Sequence, residues 1–323
     1  MRILVTGGCG FIGHRVVAQL QSRGHQVRII DNLTTYGIIP RDEHNYLVTE
    51  RKKLFNPGTI VHDISIEDRY INAVFEMFLP EIVIHLASMP RQRIVNADPV
   101  KGARVMCEGL LNLVEQSHKF GAQRFVYVSS SMIYGNFTDG VKEDAHCQPQ
   151  GSYAIMKYTG EQLVREYTRS KNLEHVVVRP SAVYGPLDIE DRVVSRFIIG
   201  AMRDDTLVVR GPDERLDFTY VDDTVAGIVG ASLGTNTRNK TYNITRSESI
   251  TLLHAAELAI KIAGSGQISV RERDSEFPSR GSLNIDAAQS DFDFKPGVDF
   301  KQGLTQYYEW LKNSEFWRQR LKI

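Results

Sequence analysis

Short β-branched runs alternate with longer stretches that carry apolar residues at helical spacing through the first half of the chain, and this alternation predicts βαβ units around a parallel sheet. Ile3–Val5, Gln26–Ile30, Thr59–His62, Ile82–His85, Arg124–Val128 and His175–Val178 read as strands. Helices are predicted over Gly10–Ser22, Ile66–Met77, Pro99–Phe120 and Ser152–Ser170. Asp98 stands before Pro99 as an N-cap, and Gly121 is placed to stop the same helix. After Arg179-Pro180 the elements shorten, Asp-rich turns appear, and an amphipathic helix over Gln302–Lys312 closes the chain. The expected fold class is α/β: a Rossmann-type doubly wound parallel sheet over residues 1–179, with a smaller C-terminal α/β domain over 180–323, some of whose segments return to the first.

Composition narrows the function classes. The 323 residues hold 39 Lys+Arg against 39 Asp+Glu, so no basic footprint marks a nucleic-acid or acidic-membrane partner. Three scattered cysteines, Cys9, Cys107 and Cys147, fit neither a disulfide framework nor a zinc cluster, and read as reduced thiols. No apolar run approaches the roughly 18 residues of a membrane span, and a first strand beginning at Arg2 leaves no room for a signal peptide. A cytoplasmic location without metal is expected.

Two segments carry the chemistry. Gly7, Gly10 and Gly13 form Gly-x-x-Gly-x-x-Gly between the first strand and its helix, a turn that lets a pyrophosphate approach a helix N-terminus. Asp31 ends the second strand 18 residues after Gly13, where a carboxylate bonds a ribose diol and repels a 2′-phosphate. With no Arg in Asn32-Leu33-Thr34-Thr35, NAD is favoured over NADP. Asp63-Ile64, after the third strand, is placed to flank the adenine, or is an ordinary turn.

The second segment is Ser129-Ser130-Ser131 at a strand's carboxyl end, followed by Tyr153 and Lys157 at i, i+4 spacing on one helix face. A lysine beside a tyrosine favours the phenolate, so Tyr153 is expected to have a lowered pKa and to serve as a general base. A second Tyr-x-x-x-Lys pair, Tyr167 and Lys171, lies about 21 Å further along the same helix at 1.5 Å per residue. It reads as a solvated helix end.

With these motifs, with His85-Leu86-Ala87, with Arg179-Pro180-Ser181-Ala182-Val183-Tyr184-Gly185-Pro186 and with Asp217-Phe218-Thr219-Tyr220-Val221-Asp222, the chain resembles the extended short-chain dehydrogenases/reductases, in their nucleotide-sugar epimerase/dehydratase branch. The resemblance implies a hydride moved between a nicotinamide and a sugar carbon. Tyr153 would be the acid/base, Ser130 would bond the same oxygen, and Lys157 would hold the nicotinamide ribose. Phe11, Ile12, Asn32, Leu86, Ala87 and Pro180 would join the glycines, Asp31, Asp63 and Ile64 around NAD. Ser131, Met132, Arg91, Arg215 and Arg280 would face the substrate, Arg91 toward an acidic or densely hydroxylated group and the last two toward the diphosphate. Family dehydratases and decarboxylases carry an acidic residue where this chain has Met132, which disfavours elimination. The family's Asn-x-x-Gly-Thr is Met106-Cys107-Glu108-Gly109-Leu110 here.

The expected activity is therefore NAD-dependent epimerisation of a nucleoside-diphosphate sugar, at C4, through a transient keto sugar. The alternative is a ketosugar reductase or dehydrogenase using the same three residues; a non-catalytic NAD sensor comes third. An acyl-transfer hydrolase is disfavoured by the missing Gly-x-Ser-x-Gly elbow. The resemblance also implies a homodimer, with Leu110, Leu111, Leu113, Val114, Leu163 and Val164 offering apolar surface to a partner or to the chain's own sheet.

Overall fold

The computed structural model describes residues 1–323. Its strands are β1 (Arg2–Thr6), β2 (Gln26–Ile30), β3 (Ile60–His62), β4 (Ile82–His85), β5 (Arg124–Val128), β6 (Glu174–Pro180), β7 (Val183–Tyr184), β8 (Thr206–Arg210), β9 (Arg215–Asp217), β10 (Thr219–Tyr220), β11 (Lys240–Ile244), β12 (Ser249–Thr251) and β13 (Gln267–Arg271). Seven of them form one parallel sheet in the order β11-β6-β5-β4-β1-β2-β3. This is a Rossmann-like doubly wound sheet. The order reverses between β1 and β4, and the crevice at their carboxyl ends is where such sheets take ligands.

Side-chain alternation explains why both faces need helices. Ile3 and Val5 of β1 enter one core while Leu4 enters the other, and all three are fully buried. One face is covered by α1 (Gly13–Ser22) together with later helices; the other by α3 (Ile71–Phe78), α6 (Gly109–Lys119) and α7 (Gly151–Lys171). Beyond Pro180 the chain supplies the seventh strand, three two-stranded pairs, and α8 (Val193–Met202) to α13 (Glu315–Leu321), with α9 at Val221–Leu233, α10 at Leu252–Ala263, α11 at Asp286–Phe292 and α12 at Phe300–Asn313.

Two helices escape the hydrophobic pattern. In α2 (Arg41–Lys52) the buried stripe is Glu43, Leu47 and Arg51, spaced like a helix face but charged at two of three positions. Short α4 (Gln92–Ala97) offers too few turns for periodicity. The expected start of α3 at Ile66 moves to Ile71, because Asp68 Oδ1 accepts from Tyr70 N at 2.9 Å and holds a turn there. Pro99–Phe120 is continuous but changes winding: α5 (Pro99–Ala103), capped by Asp98 as expected, passes through one π-helical turn at Arg104–Glu108 into α6. The dimer surface expected from six residues shrinks to two. Leu110, Leu113, Val114 and Val164 are buried in the chain's own core, because they occupy the sheet-facing stripe of their helices, and only Leu111 and Leu163 keep some exposure.

Candidate active site

The glycine turn is shaped by contacts that exclude side chains. Gly7 has φ +70°, and a Cβ on Gly13 would lie 2.0 Å from Gly7 O, so α1 packs directly against the turn. The helix starts without a side-chain cap and without an acidic residue in its first turn. The amides of Phe11, Ile12 and Gly13 donate to no acceptor in the chain. An uncapped helix end with free amides is what a pyrophosphate requires. Asp31 closes one side: its Oδ2 accepts from Cys9 N at 2.8 Å and its Oδ1 from Leu33 N at 2.9 Å. One lone pair on each oxygen remains for a diol. Burial pushes this carboxyl up, and the two amides and the Arg51 charge oppose that.

Around this floor, Asn32 is exposed and donates to Ser65 Oγ at 2.9 Å, Asp63 is exposed, and Ile64 is half-buried. Leu86 and Ala87 leave β4 half-buried, with Ala87 against Gly7. Pro180 ends β6. These donors, the carboxylate and the apolar walls fit a dinucleotide, so the residues expected around NAD and the groups NAD presents are compatible.

The Ser/Tyr/Lys set lies at the neighbouring strand ends. Ser130 opens a 3₁₀ turn over Ser131–Tyr134, with Ser130 Oγ accepting from Met132 N at 3.2 Å. Helix α7 approaches β5 closely because Gly160 has no side chain; a Cβ there would sit 2.2 Å from the Tyr127 hydroxyl. That approach lets Lys157 Nζ donate to Val128 O at 2.9 Å. Asn96 Oδ1 of α4 accepts from Ser152 N at 3.1 Å and fixes the turn that carries Tyr153.

Electrostatics correct one expectation. The phenol of Tyr153 is raised rather than lowered: desolvation dominates, and the nearby Ser130 hydroxyl and the charges of Arg192 and Arg91 only partly offset it. Lys157 is not among those charges, because it turns to Val128 O, and burial pushes its own pKa down to about 8. His85 is a packing residue, bonded to Thr6 Oγ1 at 2.7 Å and stacked near Tyr127. Tyr167 bonds Glu115 and Lys171 is exposed, away from the serines.

Substrate-facing expectations divide. Met132 is buried beside Ser130, where it can neither give nor take a proton. The Ser131 hydroxyl turns inward, donating to Ser181 Oγ at 3.1 Å. Arg215 is exposed and committed to Ser249, donating from Nε to Oγ at 2.8 Å and from Nη2 to the carbonyl at 2.7 Å. Arg280, whose backbone bridges to that of Arg215, has a buried Nε without an acceptor, and burial pushes its pKa down to about 10. Of the two arginines expected at the diphosphate, Arg280 is the free one. Arg91 reaches Asp191, with Nη2 to Oδ2 at 3.2 Å.

Sequence reasoning missed Arg51, Asp188 and Arg192. Arg51 crosses from α2 to donate to Cys9 O at 3.3 Å and Leu187 O at 2.7 Å, tying the glycine turn to the loop after β7. Nothing local in α2 signals that reach. Asp188 and Arg192 pair at i, i+4, with Nε to Oδ1 at 3.1 Å; that spacing after Gly185-Pro186 was the available clue.

The comparisons with known proteins agree with this geometry. The model of the "NAD dependent epimerase/dehydratase family" matches residues 3–245. A putative UDP-glucose 4-epimerase of Methanocaldococcus jannaschii is 28% identical over 320 residues, spanning 97% of this chain and 99% of the relative. A dTDP-glucose 4,6-dehydratase of Streptomyces niveus is 28% identical over 337 residues, spanning 100% and 96%. The crystal structure of a UDP-glucuronic acid 4-epimerase from Bacillus cereus, in complex with UDP-glucuronic acid and NAD, superposes with a TM-score of 0.89 at 26% identity, covering 97% of this chain and 99% of that one.

Proposed function

The chain belongs to the NAD dependent epimerase/dehydratase family, and from that premise we propose that it epimerises a nucleoside-diphosphate sugar at C4 through a transient keto sugar. The observation that carries the choice is the Ser130 hydroxyl placed beside the Tyr153 phenol, with a buried Met132 next to Ser130. The proton-handling pair needed at a carbinol is present, and the position that a dehydratase fills with an acid is a thioether. When bound, NAD⁺ supplies reversible hydride acceptance at its nicotinamide.

In this reading Tyr153 accepts the carbinol proton and returns it, while Ser130 holds the same oxygen. Lys157 bonds the nicotinamide ribose. The amides of Phe11, Ile12 and Gly13 take the pyrophosphate, Asp31 and Asn32 take the adenosine ribose, and Asp63, Ile64, Leu86, Ala87 and Pro180 line the rest of the cofactor. Residues 180–323 form the sugar-nucleotide side, with Arg280 as diphosphate clamp. The desolvated phenol above its ordinary range calls for a cation beside it, which the oxidised nicotinamide would provide.

The test has two parts. Denaturing the purified protein should release near-stoichiometric NAD⁺, identified by mass spectrometry, and the native protein should interconvert C4 epimers of a sugar nucleotide without added cofactor. Tyr153→Phe should lower kcat by about 10³-fold while keeping its NAD. An empty site with NADH-dependent ketosugar reduction would support the reductase alternative instead.

We also propose that two copies pair through the helix face carrying Val100, Ala103, Cys107 and Leu111, together with Ile155 of α7. Val100 and Ile155 are 65% and 51% exposed, large for apolar side chains on regular helices, and the groove beside Leu111 has no covering element in the chain.

A further inference from the structure

Helix α2 belongs by sequence to the first half of the chain and is fastened to the second. Its Leu47 joins Ile39 and Leu187 in a small core separate from the two that sandwich the sheet, with Ile189 and Trp310 packed against it. Glu43 accepts from Glu190 N at 3.1 Å and pairs with Arg320 of α13 at 3.4 Å, and Asp42 pairs with the same arginine at 3.2 Å. The Tyr46 ring stacks on Phe316 of α13 with centroids 4.2 Å apart, and its hydroxyl meets Oγ of Ser314, the residue that caps α13, at 2.7 Å.

Arg51 stands at the other end of this strap, against the glycine turn. Its Nη1 donates to Cys9 O at 3.3 Å and its Nη2 to Leu187 O at 2.7 Å. The Cys9–Gly10 peptide is thereby held on both edges, because Gly10 N donates to Gly7 O at 3.0 Å, and Cys9 N is held in turn by Asp31. The next three amides, of Phe11, Ile12 and Gly13, are the ones left free for a pyrophosphate. Burying a guanidinium is costly, and the charge of Arg51 is balanced by Asp188 and Asp31. An apolar residue of similar volume would fill the same space as well for stability. It would not fix two carbonyls from two separate segments.

Resting on the proposed closed cycle in which NAD stays bound, we propose that Arg51 is a positioning residue for the cofactor. It locks the glycine turn in the conformation that presents those amides, and α2, tied down by α13, is the strap that holds it there and slows NAD release. Donors fixed before the ligand arrives bind it more tightly than donors that must first be ordered. The same guanidinium joins the turn to the loop leading to Asp188 and α8, so the turn cannot loosen without letting go of Leu187 O or Cys9 O.

The experiment follows NAD release itself: protein loaded with radiolabelled NAD⁺ is chased with excess unlabelled NAD⁺, and the label still bound is counted over time. Arg51→Met should speed release by about 10- to 100-fold, the range for hydrogen bonds from a charged donor. Arg51→Lys, which keeps the charge and one of the two bonds, should fall between that variant and the wild type. Phe316→Ala, which undoes the stack on the last helix, should speed release by about 2- to 10-fold, the range for one aromatic pair; it and Arg51→Lys decide the matter if Arg51→Met does not fold. Val74→Ala, in the core under α3, should lower the thermal midpoint and leave release at the wild-type rate, which separates the strap from a general loss of stability. Release unchanged in the Arg51 variants or in Phe316→Ala, or raised equally in Val74→Ala, overturns the inference. If the wild type holds NAD and the variants release it no faster, only this inference fails; if the wild type binds no NAD, the proposed function fails with it.

Discussion

At the residue scale the site is built against stability. Lys157 is buried and its pKa falls from 10.5 to about 8, so between those values the unfolded chain holds a proton that the folded one lacks, and stability rises with pH across that window. Below about pH 8 the folded state carries the full cost of a buried ammonium. In nucleotide-free protein Lys157→Met should therefore raise stability at pH 7, on the order of 1–3 kcal/mol, and lose the advantage near pH 10.5, while abolishing turnover. Urea denaturation at both pH values checks this; a variant less stable than wild type at pH 7 contradicts it. The candidate site was legible in part because Gly7, Gly13, Tyr153 and Lys157 stand at telling local spacings, whereas only the family resemblance singled out Ser130 among three neighbouring serines. Their environment was not. Sequence spacing put Lys157 beside the phenol, yet it cannot tell that Gly160 draws α7 close enough for Val128 O to capture the ammonium.

At the element scale the same division holds. Strands and long helices followed from period, since a doubly covered sheet demands apolar residues on both faces of β1, β4 and β5. Helix α2 stayed hidden because its inward stripe includes Glu43, which accepts from Glu190 N at 3.1 Å, and Arg51, which serves Cys9 and Leu187; charged groups satisfied by distant loops leave no hydrophobic signal. The π-helical turn at Arg104–Glu108 rotates the helix so that Val105 and Met106 face the core while Cys107 and Leu111 stay on the outer stripe. Leu111→Glu with Ile155→Glu should convert a dimer to a monomer in light scattering at micromolar concentration, with NAD content unchanged. A wild type that is already monomeric under those conditions contradicts the pairing.

At the scale of the molecule, acid sensitivity follows from histidines folded in the neutral form. Burial holds His14 and His85 down to about 3 and His175 to about 4, against about 6.5 unfolded. From pH 6.5 downward the unfolded chain takes up protons that the native one refuses, so stability falls as pH falls through that range. Burial also raises the carboxyls of Asp31, Glu43, Glu143, Asp188 and Asp217, the last to about 6, and these oppose the histidines toward the acid end, so the histidines lead where they first titrate, near pH 6.5. The thermal midpoint should therefore drop between pH 7 and 6, and a flat or rising midpoint there would contradict the assignment. No helix in the structure is long and apolar enough to cross a membrane. The proposed architecture is a cofactor floor at the strand ends, a sugar-nucleotide side built after Pro180, and Tyr153 with Ser130 between them. If that arrangement performs a closed redox cycle at one carbon, the hydrogen removed from the sugar must return to it. The decisive measurement is to supply a C4-deuterated sugar nucleotide to the NAD-loaded protein in ordinary water without added cofactor, and to follow the label by mass spectrometry. The account predicts an epimerised product that keeps its deuterium; an epimer that has exchanged it for solvent hydrogen would contradict hydride return at C4.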